Sequence, residues 1–417
     1  MPTVTVVTDV FLDLGRAVAT ALGSPDLRTS VIDRPLAELK EAEVRDKARN
    51  AFQDITSQLF AAAKEQSVSV SGERLPRILE LSGSLEEVND YFYAQRWTDG
   101  LPIMPPVCES VERLLAVVEE APDAVIGVVA PRMGMATIEK IAINAVMAGC
   151  EPGYFPVVLA AVNAICRPEF NLLPMQATTN PVTPMVIVNG PVVKQLQLNA
   201  GYNVLGQGWK ANATIGRALR LVLNNIGGGV PGKVDKACHG QPGKFSLCIA
   251  ENEEASPWEP FHVERGFSAD DSTVSVIGVA GTQDIIHYAR TSAQKVLDTL
   301  VRSIPREGYK NLYSGGEPLL ILGPEQATIL SAEGLSKKDI KRFVFEGTKV
   351  PLSLFHPETV DFIRGRRPRV FPAGRETNEL PIADSEEDIQ IIVAGGAGNH
   401  NVFMPTWGDT RCVTVKI

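Results

Sequence analysis

The alternation of apolar and polar positions divides the chain into short β-like runs and longer helical ones. Residues 4–7 and 29–32 are β-branched runs, and helical patterns follow each of them over 10–22 and 36–64. A strand–helix–strand–helix order predicts a piece of parallel sheet. Four elements are too few to close a core, so this segment needs a partner surface. Polar residues from Glu65 to Leu75 read as a linker. Ser84 with Glu87 three residues later is a capping box that opens a helix through Ala94. Trp97-Thr98-Asp99-Gly100-Leu101-Pro102 breaks the pattern, and Pro105-Pro106 leads into a helix over 107–120. Further on, helices are predicted over 137–148, 156–165 and 212–225. Strands are predicted over 185–188, 246–250, 273–279, 319–322 and 389–393, with 413–417 as a last edge strand.

The expected fold is therefore α/β, with mixed or mostly parallel sheets. Residues 1–64 form a partial α/β segment, 65–83 a linker, and 84–417 the main domain. An internal similarity adds to this division. An apolar strand ends in Gly190-Pro191, with Gly201 beyond it, and another ends in Gly323-Pro324, with Gly334 at the same spacing. A helix follows in each case, which predicts two related α/β units around 150–230 and 280–350. The first carries extra residues before its helix.

Composition narrows the function classes. The chain has 417 residues, 44% of them hydrophobic, enough for one large core or two moderate ones. A net charge of −9 and the lack of a basic run interleaved with aromatics argue against nucleic acid as the partner. No apolar run approaches the roughly 18 residues that a membrane span needs. Met1-Pro2-Thr3-Val4 lacks the features of a signal peptide. Cys108, Cys150, Cys166, Cys238, Cys248 and Cys412 form no CxxC pair, so free thiols and a cytoplasmic location are expected.

Candidate chemistry concentrates between Tyr202 and Arg265. The loop from Tyr202 to Gly216 holds Asn203, Gln207, Lys210 and Asn212 among glycines that let backbone N–H groups converge. With Asn212 as helix N-cap and Lys210 adding charge, it reads as a carboxylate-binding loop, although it is neither a P-loop nor a GxGxxG fingerprint. The glycine-rich run from Asn224 to Lys233 reads as a helix end and connection. The acidic segment from Glu251 to Arg265 directly follows an apolar strand, where open α/β sheets bind ligands. Glu251, Glu253 and Glu254 crowd there, so one is expected to have a raised pKa and to serve as general acid or base. On an extended chain His262 and Glu264 share a face, which suits a metal pair or a His–carboxylate dyad. Arg265 is a further anion contact. Gly395 to Asn401 also follows a strand, and His400 is expected to reach the same sheet edge as Glu251. Lys140 and Asn144, and the run Thr178 to Pro181, rank lower.

Several long motifs carry a resemblance. They are Trp97 to Pro102 with Pro105-Pro106, Glu139 to Cys150, Ala211 to Arg217, Glu251 to Pro260, and Gly395 to His400. Together they resemble UGSC family (seleno)proteins from about residue 85 to the end, while residues 3–64 are similar to the C-terminal part of that family's small domain. The family's name comes from a Sec/Cys-Gly-Ser-Cys motif that this sequence lacks, since no cysteine precedes Cys108. The resemblance implies that a partner subunit supplies the motif, giving a heteromer, or that the chain works without it. A thiol or selenol so supplied would be a nucleophile or redox group.

Three functions stay open on this reading. One is an enzyme acting on a small polar, anionic substrate, with Glu251, Glu254, His262 and His400 as catalytic groups and Asn203, Gln207, Lys210, Asn212 and Arg265 as substrate contacts. Another is a metal-dependent hydrolase or lyase using His262, Glu264 and His400. The third is a non-catalytic substrate-binding or scaffold subunit. No cofactor is singled out.

Overall fold

The computed structural model describes residues 3–36, 39–60, 78–288, 292–304, 307–372 and 377–417. Its apolar strands pair into two four-stranded sheets. The first runs Val413–Lys416, Thr273–Val279, Thr183–Asn189, Cys248–Ala250, and the second runs Gln283–Ile286, His400–Met404, Leu319–Leu322, Gln390–Val393. In each, the last two strands are parallel and the other pairings are antiparallel. Both sheets are thus mixed rather than mostly parallel. The strands that end in Gly190-Pro191 and Gly323-Pro324 hold the same place in the two sheets.

The halves also exchange edges. After Thr273–Val279 the chain crosses to give the second sheet its edge, Gln283–Ile286, and after His400–Met404 it returns to give the first sheet its edge, Val413–Lys416.

The alternation along each strand explains the layering. Val186, Val188, Val274 and Val276 face helices that include Ile138–Ala148, Phe155–Ile165 and Lys210–Asn225. Their neighbours Met185, Ile187, Ile249 and Ile277 face the other way and pack on Leu319, Ile321, Ile392 and Met404 of the second sheet. The outer face of that sheet, with Leu320, Leu322, Ile391 and Val393, is covered by helices that include Ala293–Ser303 and Lys337–Gly347. Successive side chains point to opposite faces, so strands buried on both faces must be apolar throughout. Each fully buried side chain of this kind contributes about 1.5–3 kcal/mol. The result is a helix–sheet–sheet–helix sandwich.

The Trp97–Pro102 break is a brace. Arg217 donates to both Asp99 carboxylate oxygens at 2.8 and 2.9 Å and to the Pro102 carbonyl at 2.8 Å. Trp97 packs edge-on against Tyr91 and Phe92.

The N-terminal unit is a parallel strand pair, Thr5–Thr8 with Thr29–Ile32, and the helices Leu12–Ala21 and Glu41–Phe60. Its described residues bury only Ala19 and Ser30. The linker expected over 65–83 lies mostly outside the described residues. Among these residues no helix is long and apolar enough to cross a membrane. The helix expected over 107–120 stops at Leu115. The pieces not anticipated include the hairpin Val125–Val129 with Gly134–Thr137, the strand Gln283–Ile286, and the strand His400–Met404, which begins at the end of the glycine-rich run from Gly395.

Candidate functional site

The inner face of the first sheet changes character along its length. Ile187 is followed on that face by Asn189, Ile249 by Glu251, and Ile277 by Ser275 and Thr273. The apolar inter-sheet core therefore ends in a polar group at the carboxyl ends of the two parallel strands. Glu251 is 1% exposed, His262 and Thr273 are 0% exposed, and Asn189 is equally buried. Such a group must be satisfied from within or by a ligand or water, since unpartnered buried polar atoms are costly.

Half of the Glu251 carboxylate is held firmly. Its Oε2 accepts from Asn189 Nδ2 at 2.6 Å and from the Phe261 amide at 2.7 Å. Its Oε1 has no hydrogen-bond partner, and Lys337 Nζ lies 3.8 Å away. Asn189 Nδ2 and the Gly190 amide both donate to Glu253 at 2.8 Å. His262 Nδ1 lies 3.7 Å from the same Glu253 oxygen, and neither ring nitrogen of His262 has a hydrogen-bond partner. Asn189 Oδ1 and Thr273 Oγ1 are also unpartnered. Burial pushes the Glu251 pKa up, against the charge of Lys337 and the bonds from Phe261 and Asn189.

A cavity of about 430 Å³ adjoins this group, with the carboxylates Glu264, Glu317, Glu386 and Glu387 and the cations Arg265, Lys338 and Lys341 on its wall. The one-turn helix Phe261–Glu264 separates the two, with His262 on the buried side and Glu264 on the cavity side. Lys337 connects them: 3.8 Å from Glu251, it donates to Glu264 at 3.3 Å, and Lys341 pairs with the same carboxylate. Burial opposes ionisation of Glu264, but the two lysines outweigh it and hold its pKa below the usual range. Glu317 is pushed the other way by burial, although Cys412 N–H and Arg411 favour its charged form. Two carboxylates on one cavity are thus driven apart in acidity.

The residues expected from sequence divide accordingly. Glu251 and His262 come together, and Arg265 lies on the adjoining cavity. Arg265 is anchored to Thr414 Oγ1 and the Cys412 carbonyl, each at 2.7 Å. Glu254 and His400 are not in this group. Glu254 is exposed and pairs with Lys194, which holds its pKa low, and exposed His400 faces Asp284 at 3.0 Å. His262 and Glu264 do not share a face, because residues 261–264 are helical rather than extended and Glu264 is taken by two lysines. The metal pair expected of them is not assembled.

The loop also differs from expectation. Helix Lys210–Asn225 starts before Asn212, with Trp209 at its N-cap. Asn212 is instead buried, accepting from the Asn199 amide at 2.8 Å and donating to the Asn199 carbonyl at 3.0 Å. Lys210 pairs with Glu151 at 2.7 Å, so its charge is already neutralised. Asn203 donates to the Gln207 carbonyl at 2.7 Å and to the Gln207 side chain at 3.2 Å. No hydrogen bond joins these residues to Glu251 or His262.

Sequence reading missed Asn189, Lys337, Lys341 and Glu317. A polar residue closing the apolar run Met185 to Val188 was a usable signal for Asn189, and lysines one turn apart were one for Lys337 and Lys341. Nothing local marks Glu317.

Comparison with known proteins adds a family for the N-terminal unit. No curated protein and no solved structure matches the chain. The buried Glu251 group lies outside the segment that a family model does match. That model is the UGSC family, and it matches residues 1–61, so the N-terminal unit is similar to that family.

Proposed function

We propose that the chain is an enzyme that transfers protons on a small, polar, anionic organic substrate, with Glu251 as its acid/base group and His262 beside it. The observation that carries this reading is that Glu251 Oε1 and both His262 ring nitrogens are buried without hydrogen-bond partners near the carboxyl ends of two parallel strands, in a group linked through Asn189 and Glu253. A pKa raised by burial suits a carboxyl group that must both gain and lose a proton. The adjoining cavity receives the substrate, and Arg265, which has no carboxylate partner among the described residues, is a cation on its wall placed to meet a negative charge. Lys337 lies between Glu251 and Glu264, 3.8 Å from one and 3.3 Å from the other, so its charge favours the ionised form of both.

The test is solvent exchange. Purified chain is incubated in D2O with a panel of small 2-oxo, 2-hydroxy and amino acids, and deuterium incorporation or conversion is followed by NMR. Exchange by the wild-type chain and its loss in Glu251→Gln support the reading. Exchange at the wild-type rate in Glu251→Gln refutes it. Lys337 gives a separate prediction. Lys337→Met removes a charge that opposes the effect of burial on Glu251, so the Glu251 limb of the pH–rate profile should move to higher pH. A limb that stays in place disconnects Lys337 from Glu251.

A second component is a thiol-bearing partner docked on the N-terminal unit. It is favoured by the exposed Phe52 and Phe60 on a helix with no buried residue. The chain's own buried thiols are poorly suited to the role. Burial pushes Cys150 and Cys412 up to about 12 and Cys166 up to about 11, and it raises Cys248 as well. A thiol reagent applied to native protein is expected to label exposed Cys108 and Cys238, and to reach Cys150, Cys248 and Cys412 only on unfolding. Rapid native labelling of Cys150 or Cys412 would return the nucleophile to this chain.

A further inference from the structure

A second cavity, of about 410 Å³, lies away from the Glu251 group, and its charge is opposite to that of the chain. Arg96, Arg132 and Lys233 lie on its wall with one carboxylate, Asp13. Three cations against one anion leave two positive charges, in a protein whose net charge is −9. All three cations are exposed, and among the described residues none has a carboxylate partner. Excess charge of one sign in a concave site concentrates ligands of the other.

The second observation is Asn224. It is 8% exposed and lies on the cavity wall, and its Oδ1 is buried without a hydrogen-bond partner. An unpartnered buried carbonyl oxygen on a cavity wall is costly unless a ligand or water donates to it. Gly228 makes room for the arrangement. It has φ +74°, which favours glycine, and a Cβ there would come within 2.9 Å of Arg132 Nε and crowd that side chain.

We propose that this cavity binds a small organic phosphate ester. Arginine forks and a lysine match the several oxygens of a phosphate dianion, whose charge balances the two positive charges. Asn224 Oδ1 receives a hydroxyl or amino donor from the organic part, which inorganic phosphate would lack. The site is independent of the acid/base chemistry proposed for Glu251.

The experiment is calorimetric titration of the full chain with glycerol 3-phosphate, inorganic phosphate and succinate at matched ionic strength. Saturable binding of glycerol 3-phosphate is expected, tighter than inorganic phosphate or succinate. Loss of one charge-assisted contact in Arg132→Gln or Lys233→Gln should weaken it about tenfold or more. Both residues are exposed and have no side-chain partner among the described residues, so the variants should keep the wild-type melting temperature. Asn224→Leu should remove the advantage of the ester over inorganic phosphate. The proposal is overturned by no saturable binding of the ester, by wild-type affinity in both charge variants, or by succinate binding as tightly as the phosphates.

Discussion

Glu251→Gln is expected to lower turnover by about 10²–10⁴-fold, the usual contribution of a positioned acid/base group, without unfolding the protein. The geometry explains the separation of the two effects. A glutamine can turn its oxygen toward Asn189 Nδ2 and the Phe261 amide and keep both bonds that Glu251 Oε2 accepts. Its amide nitrogen then takes the place of Oε1, which has no hydrogen-bond partner to lose. What disappears is the ability to exchange a proton. The pH dependence of stability gives a second reading of the same change. Burial raises the folded-state pKa of Glu251 above its unfolded value. Stability linked to its protonated form is therefore full below the unfolded pKa and is lost as pH rises through the folded pKa. Glutamine cannot ionise, so the variant should gain in melting temperature relative to wild type as pH is raised above the ordinary carboxylate range. A variant that melts well below wild type at every pH would make Glu251 a structural residue.

The largest expected loss of stability comes from a different buried charge. Arg367 is 0% exposed. Its Nε donates to Asp384 at 2.7 Å, and its Nη1 donates to the carbonyls of Leu312 at 3.1 Å and Pro381 at 2.7 Å. It thus ties helices Lys310–Ser314 and Pro357–Arg366 to the segment that leads into the second sheet. Arg367→Met keeps much of the side-chain volume but leaves Asp384 and two carbonyls without their donor. Removing one partner of a buried pair typically costs about 3–5 kcal/mol. That is a large share of the roughly 5–15 kcal/mol by which a folded domain is stable. Urea unfolding measures it directly. Adding Asp384→Asn to Arg367→Met should restore part of the loss, because the stranded charge is then gone. An unfolding midpoint equal to wild type in Arg367→Met would mean that the pair contributes nothing net.

Much of the local structure was legible in the chain. The capping box at Ser84 and Glu87 forms as its spacing predicts, with both reciprocal bonds present. The strands Thr273–Val279 and Leu319–Leu322 match their apolar runs residue for residue. These features depend on neighbours a few positions apart. The strands Gln283–Ile286 and His400–Met404 were not legible, because each lies in a sheet with partners far along the chain and neither is a plain apolar run. The helical turn Phe261–Glu264 was misread as extended for a related reason: its first amide is bonded by Glu251, ten residues earlier.

The sequence alone determined the α/β class and the apolar strands, and it singled out Glu251, His262 and Arg265 as candidates. Each follows from residue type and short-range pattern, which fix backbone propensity and burial. Only the tertiary structure decided which polar groups are spent and which are free. Lys210, Glu254 and His400 looked as chemically able as Glu251, but each meets an opposite charge at the surface. Glu251 and His262 instead sit at the polar end of an inter-sheet core, beside a lysine more than seventy residues away in sequence. Ion pairing and desolvation depend on distances in space, and a linear pattern of residues does not contain them.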